Sequence, residues 1–135
     1  MRSPLKSIIS VAGLALSSLL IQAAALAQFT VIHNFGSGSD GFGAGNNTLT
    51  RVGSTFYGTT YYGGTNGLGS VYAMDAFGNV NVLHSFSGPD GENGNSEGSL
   101  VYYGGWIYGT SGRGGANNTG VIFRLLPDPI PDRRH

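Results

Sequence analysis

The feature that most constrains this chain is that it is written twice. Laying each residue over the one 51 positions later superposes Leu49 on Leu100, Gly53 on Gly104, and Tyr57-Gly58-Thr59 on Tyr108-Gly109-Thr110. The match runs on through Gly63-Gly64 and Gly114-Gly115, Asn66 and Asn117, and Gly69 and Gly120. Upstream, Val31-Ile32-His33-Asn34-Phe35 falls on Val82-Leu83-His84-Ser85-Phe86, and only the loop between slips by one residue, so that Asp40-Gly41 answers Asp90-Gly91. Self-similarity at such a period is the mark of a repeat architecture, in which one supersecondary unit is stacked on the next.

Within each copy the residues read as short strands separated by turn chemistry. Thr48 to Val52 and Thr55 to Thr60 flank Gly53-Ser54, a two-residue loop suited to a tight hairpin. Ser70 to Asp75 and Val80 to Phe86 flank a second turn at Ala76-Phe77-Gly78-Asn79. The second copy offers Ser99 to Tyr103, Trp106 to Ser111 and Val121 to Leu126. No stretch after residue 27 keeps a 3.6-residue apolar period, which predicts no sizeable helix.

Four short strands in about 51 residues is the spacing of a kelch-like β-propeller blade. The expected fold is therefore all-β, with two four-stranded antiparallel propeller-like blades. The second copy offers no fourth strand, because the residues after Leu126 are Pro127-Asp128-Pro129-Ile130-Pro131, whose prolines cannot donate to a ladder. A strand of the missing type stands instead at 29–35, placed to complete the last blade in circularly permuted order. Two blades cannot close a ring, since propellers use about four to eight. That leaves a homo-oligomeric ring, a compact two-blade sandwich or a shortened copy of a longer array.

Residues 1–27 read as a signal peptide. Arg2 and Lys6 precede an apolar run from Ile8 to Ala27 that closes on Ala25-Leu26-Ala27, the small-x-small pattern of a cleavage site before Gln28. The alternative reading is an uncleaved membrane anchor. The expected organisation is a signal peptide at 1–27, a two-repeat β domain at 28–126 with repeat cores 48–86 and 99–126, and a Pro-rich tail at 127–135. Residues 28–135 carry five Arg against all seven Asp and Glu, so no basic face points to nucleic acid or to anionic lipid. All but one of the 24 glycines and every aromatic ring lie there, and the rings argue against disorder. With no cysteine in the chain, an exported domain of this size must hold by burial and strand pairing alone.

Taken together, Val82-Leu83-His84-Ser85-Phe86, Asp90-Gly91, Tyr108-Gly109-Thr110, Gly114-Gly115 and Gly120-Val121-Ile122-Phe123, with the same order in the first copy, closely resemble the Gloeo/Verruco (GloVer) tandem repeat. The resemblance implies an exported bacterial repeat protein, secreted or at the cell surface, and carries over no catalytic residues. This chain has two copies where such proteins have many, and it lacks the proline expected after each Asp-Gly turn.

Several local patterns invite chemistry. Gly36-Ser37-Gly38-Ser39-Asp40-Gly41 fits a dinucleotide fingerprint, but no helix is expected to follow it. Gly94-Asn95-Ser96-Glu97-Gly98 fits a nucleophile elbow, but in a polar loop of a small β repeat. His33 and His84 recur at one repeat position and could share a metal, or could be packing residues. Asp90, Glu92 and Asn93 are oxygen ligands of the kind Ca²⁺ takes, against an Asx-turn role for Asp90. Tyr61, Tyr62, Tyr102, Tyr103 and Trp106 are candidates for a sugar-stacking or protein-binding surface.

The expected function is that of a secreted scaffold or binding module without assigned catalysis. Its partners would be itself, as a homo-oligomer, or a cell-surface glycan or protein. The alternative is a polysaccharide-acting hydrolase or lyase on a propeller-like face, for which Asp75, Asp90, Glu92 and Glu97 are the suitable carboxylates.

Overall fold

A computed structural model describes residues 26–36, 39–44, 48–92 and 99–127. The chain divides into two units, residues 1–31 and 32–135. The described part of the first unit, 26–31, lies in no strand. The signal-peptide run up to residue 25, Asn93, the Gly94–Gly98 loop and the tail from 128 onward lie outside the described residues.

The second unit is all-β and holds two antiparallel sheets. Its strands are β1 (Phe42–Ala44), β2 (Thr50–Val52), β3 (Thr55–Tyr62), β4 (Ser70–Met74), β5 (Val80–Ser85), β6 (Val101–Tyr103), β7 (Trp106–Ser111) and β8 (Val121–Leu125). The first five form one sheet in the order β1-β3-β4-β5, with β2 also on β3, and the last three form a second in the order β6-β7-β8. The hairpin expected around Gly53-Ser54 is present, and the second copy has its counterpart at Gly104-Gly105. Val52 faces Thr55 across Gly53-Ser54, and Tyr103 faces Trp106 across Gly104-Gly105. Gly104 and Gly105 both have positive φ, 57° and 85°, as a type I′ turn requires.

The structure bears out the all-β expectation but not the count of four strands in each blade. The sheets have five and three strands, and no closed or propeller arrangement is formed among the described residues. Two local causes account for the difference. β1 pairs with the far half of β3, beside β2, through Phe42–Tyr62 and Ala44–Thr60. Among the described residues its counterpart in the second copy is a bridge between Glu92 and Arg113. The other cause is at 29–35, which forms no strand. Ile32 to Phe35 belong to the second unit, where the carbonyl of Ile32 lies against Gly78 and the Phe35 ring packs on Tyr72, 5.0 Å between centroids.

The core lies between the two sheets. Strand alternation puts Tyr57, Val71 and Ala73 of the first sheet on one face, and they meet Leu100, Ile107 and Phe86, with Val52, Leu68, Leu83, Phe123 and Leu125 around them. β4 is buried along its whole length, because its opposite face also is covered, in part by Phe35 on Tyr72. β8 alternates between half-buried and exposed, because only its Val121, Phe123 and Leu125 face turns inward. The first strands of the two copies are tied by the Thr50 hydroxyl, which donates to the Leu100 carbonyl, and by Thr48 N–H to Ser99 Oγ at 3.2 Å.

Candidate functional site

The residues that recur with chemical interest come together in pairs, one pair per repeat. His33 Nε2 meets Asp40 Oδ2 at 3.0 Å, and His84 Nε2 meets Asp90 Oδ2 at 2.7 Å. Each imidazole also stands edge-on to the phenylalanine two residues on, His33 against Phe35 at 4.6 Å and His84 against Phe86 at 5.4 Å. Each phenylalanine in turn packs on an aromatic of the following sheet, Phe35 on Tyr72 and Phe86 on Phe123. Asp90 therefore links the end of β5 to the turn that starts the next repeat unit, and Asp40 holds the corresponding turn to the segment that carries His33.

The second oxygen of each carboxylate closes that turn. Asp40 Oδ1 accepts from Gly36 N–H at 3.3 Å. Asp90 Oδ1 accepts from Ser87 N–H at 2.8 Å and from Ser87 Oγ at 2.9 Å. Partial burial would raise the Asp90 carboxyl, but the two Ser87 hydrogen bonds and the neighbouring His84 outweigh it and hold the group below the usual carboxylate range. Asp90 thus works as an Asx-type turn residue with both oxygens engaged. Glu92 sits in a backbone bridge with Arg113, and no group of three or more His, Cys, Asp or Glu is gathered for a metal among the described residues.

The other acids are placed apart. Asp75 closes the β4–β5 turn. Its carboxylate accepts from Asn79 Nδ2 at 2.7 Å, Asn79 N–H at 3.0 Å and Phe77 N–H at 2.9 Å, and these bonds, led by the Asn79 side chain, lower its pKa. Glu97 lies outside the described residues. An open cavity of about 280 Å³ runs between Leu83, His84, Phe86 and Asp90 on one side and Phe123, Arg124 and Leu125 on the other, with Asp90 as its one carboxylate among the lining residues.

The five ring residues do not form one surface. Tyr61 and Tyr62 stand at the end of β3 far from its hairpin turn, where Tyr62 stacks on Phe42 at 5.5 Å. Their repeat counterparts are Gly112 and Arg113, so this feature is present once. Tyr102, Tyr103 and Trp106 flank the β6–β7 turn. Tyr103 and Trp106 are cross-strand partners, so they share a face with Val101, Tyr108, Ile122 and Arg124. Tyr103 is 75 % exposed, and one side of the Trp106 ring is covered by the Arg124 guanidinium, 4.1 Å from its centroid. The residue patterns alone did not single out Val101, Ile122 or Arg124, because their shared face follows only from the strand register.

The recurring glycine in Tyr-Gly-Thr has a packing cause. A Cβ on Gly58 would come within 2.6 Å of Tyr72 Cζ, and one on Gly109 within 2.7 Å of Leu100 Cδ2 and 2.9 Å of Phe123 Cε2. Both glycines make room for the aromatic opposite, which is the ring that receives Phe35 or Phe86.

Sheets that repeat at a fixed sequence offset, share one core and hold each turn with a His–Asp pair define a glycine-rich all-β repeat protein. The chain matches the family model described as the Gloeobacter/Verrucomicrobia repeat over residues 19–130, and it belongs to that family. No curated protein and no solved structure matches it.

Proposed function

We propose that this chain is an exported repeat scaffold, its two sheets being propeller-like units, that works by binding through the outward face of the second sheet. The observation that carries this reading is the division of labour among the recurring side chains. The His–Asp pairs, Asp75 and the Thr60 and Ser111 hydroxyls are all engaged in holding turns and strand ends. On one face the fold leaves Val101, Tyr103 and Ile122 exposed beside the half-buried Trp106, so that apolar and aromatic groups meet water. Contiguous patches of that kind mark interaction sites, and Tyr and Trp combine a large apolar area with a polar handle.

Titration of the purified chain with cell-envelope polysaccharides and surface proteins, followed by Trp106 emission, tests the reading. Trp is present once in the chain, so the signal reports this face alone. Saturable binding that weakens about tenfold or more in Tyr103→Ser, with an unchanged far-UV spectrum, is expected for the loss of a ring contact. Release of reducing ends from a polysaccharide would replace the scaffold by the hydrolase reading. Binding indifferent to Tyr103→Ser and to Ile122→Lys would place the surface elsewhere.

A further inference from the structure

The two copies differ in how β4 and its repeat counterpart β8 are paired and covered. Val71 in β4 is 1 % exposed, whereas its counterpart Ile122 in β8 is 82 % exposed. β4 has β3 on one side and β5 on the other, whereas β8 pairs with β7 only and is an edge among the described residues. An open edge flanked by exposed apolar side chains is a template for another strand.

The repeat itself says what fits that edge. β5 pairs with β4 through Ser70–Ser85, Val71–His84, Tyr72–Val82, Ala73–Asn81 and Met74–Val80, with Leu83 as the extra residue of a bulge. The chain holds a second segment with that chemistry, Phe29 to Asn34, which lies in no strand and exposes Phe29, Val31 and Ile32. Carrying the pairing over by the 51-residue offset gives Val121–Asn34, Ile122–His33, Phe123–Val31, Arg124–Thr30 and Leu125–Phe29, with Ile32 at the bulge. From these relationships we infer that a second copy of this chain adds its 29–34 segment to β8, so that molecules join head to tail.

The junction inside the molecule is the precedent. β5 pairs with the first sheet while His84 and Phe86, at its end, serve the second, through Asp90 and Phe123. In the same way His33 and Phe35 are already seated on Asp40 and Tyr72 of their own chain. The residues just before them are the ones left to reach a neighbour's edge. The added strand lies beside Ile122, and the copy that brings it becomes the partner of the outward face. The contact is heterologous, so it generates a ring where the rotation closes and a filament where it does not. This inference rests on the scaffold reading and names the partner of that face.

The test uses the full-length gene expressed in a bacterial host, so that any leader is processed as the cell processes it. The chain has no cysteine, which makes paired cysteines a clean ruler. A mixture of Thr30→Cys and Arg124→Cys chains, mildly oxidised, should give a mixed covalent dimer, and neither variant alone should cross-link. Cross-linking of Arg124→Cys with itself would show β8 pairing with β8, and overturns the proposal. A wild-type chain that sediments as a monomer at all concentrations also overturns it. So does a disulfide that forms within single molecules of the double variant at any dilution.

Two further variants guard against misfolding. Thr30→Pro with Val31→Pro removes the strand's donors whichever way it faces, and Ile122→Lys charges the edge. Each should weaken self-association about tenfold or more while leaving the far-UV spectrum unchanged. An equimolar mixture of the two should stop at a 1:1 pair, since each retains the half the other has lost. Failure of self-association together with Tyr103-dependent glycan binding would sink this inference and leave the scaffold reading standing.

Discussion

His84 Nε2 lies 2.7 Å from the Asp90 carboxylate, and the same histidine stands edge-on to Phe86, which is buried in the core between the two sheets. A turn on the surface and the packing of the interior are thereby joined through one side chain. Asp90→Ala removes the acceptor for His84, Ser87 N–H and Ser87 Oγ together. The expected cost is about 1–2 kcal/mol, because a typical net hydrogen bond is worth about 1 and the pair is half exposed. Asp90→Asn, which keeps an acceptor for Ser87, should lose less. Urea midpoints of the two variants check the order.

The lowered pKa of Asp90 makes that turn acid-sensitive. A carboxyl whose folded pKa lies below its unfolded value of about 3.9 contributes stability that is fully present above about pH 4 and is lost as pH falls through the folded value. Asp75, lowered by the Asn79 side chain and its neighbours, acts in the same direction. Urea midpoints should therefore decline below about pH 4, and the decline should be shallower in Asp90→Asn. A midpoint that rises on acidification would contradict the assignment.

Gly58 and Gly109 should resist substitution for lack of room. Neither has a positive φ, yet a Cβ at either position strikes the aromatic across the strand. Gly109→Ala is expected to cost about 1–3 kcal/mol through overpacking. Gly53 and Gly104, where a Cβ meets nothing within 4 Å, should lose only the smaller cost of holding Ala at φ of 61° and 57°. Thermal unfolding of the alanine series separates the two causes.

Isoleucines on opposite faces of the second sheet provide a further check. Ile107 is 0 % exposed within the core, and Ile107→Ala should cost about 2–5 kcal/mol. Ile122→Ala at low protein concentration, where chains are separate, should stay within about 0.5 kcal/mol of the wild type. At high concentration Ile122→Ala should destabilise as well, if the exposed face is covered by a second chain.

Much of this architecture is visible in the residues. The 51-residue offset, the hairpins at Gly53-Ser54 and Ala76–Asn79 and the absence of helix among the described residues follow from glycine placement and strand alternation, which are local. The segment at 29–35 misleads because its residues match β5 closely, whereas a strand exists only where a neighbouring edge accepts it. β1 goes unseen for the opposite reason, since Phe42-Gly43-Ala44 has little strand character and is held by the unusual length of β3. The His–Asp pairs are the instructive miss. Both members recur, but the one-residue slip in the intervening loop makes their spacing seven in one copy and six in the other. A search for fixed spacing passes over them. The shared outward face of Tyr103, Trp106 and Ile122 needs the register between strands, which no single strand contains.

Phe86 has one further consequence. By sequence it closes the first copy, and by packing it belongs with Leu100, Ile107 and Phe123 of the second. The unit that a gene would duplicate is therefore out of phase with the unit that packs. A fragment cut where the written repeat ends would carry away the ring that its neighbour needs, and a recombination that respected the text would break the interior. Grafts between members of such a family should succeed when the seam falls in the glycine-rich loops after the Asp-Gly turn, and fail when it falls before the phenylalanine.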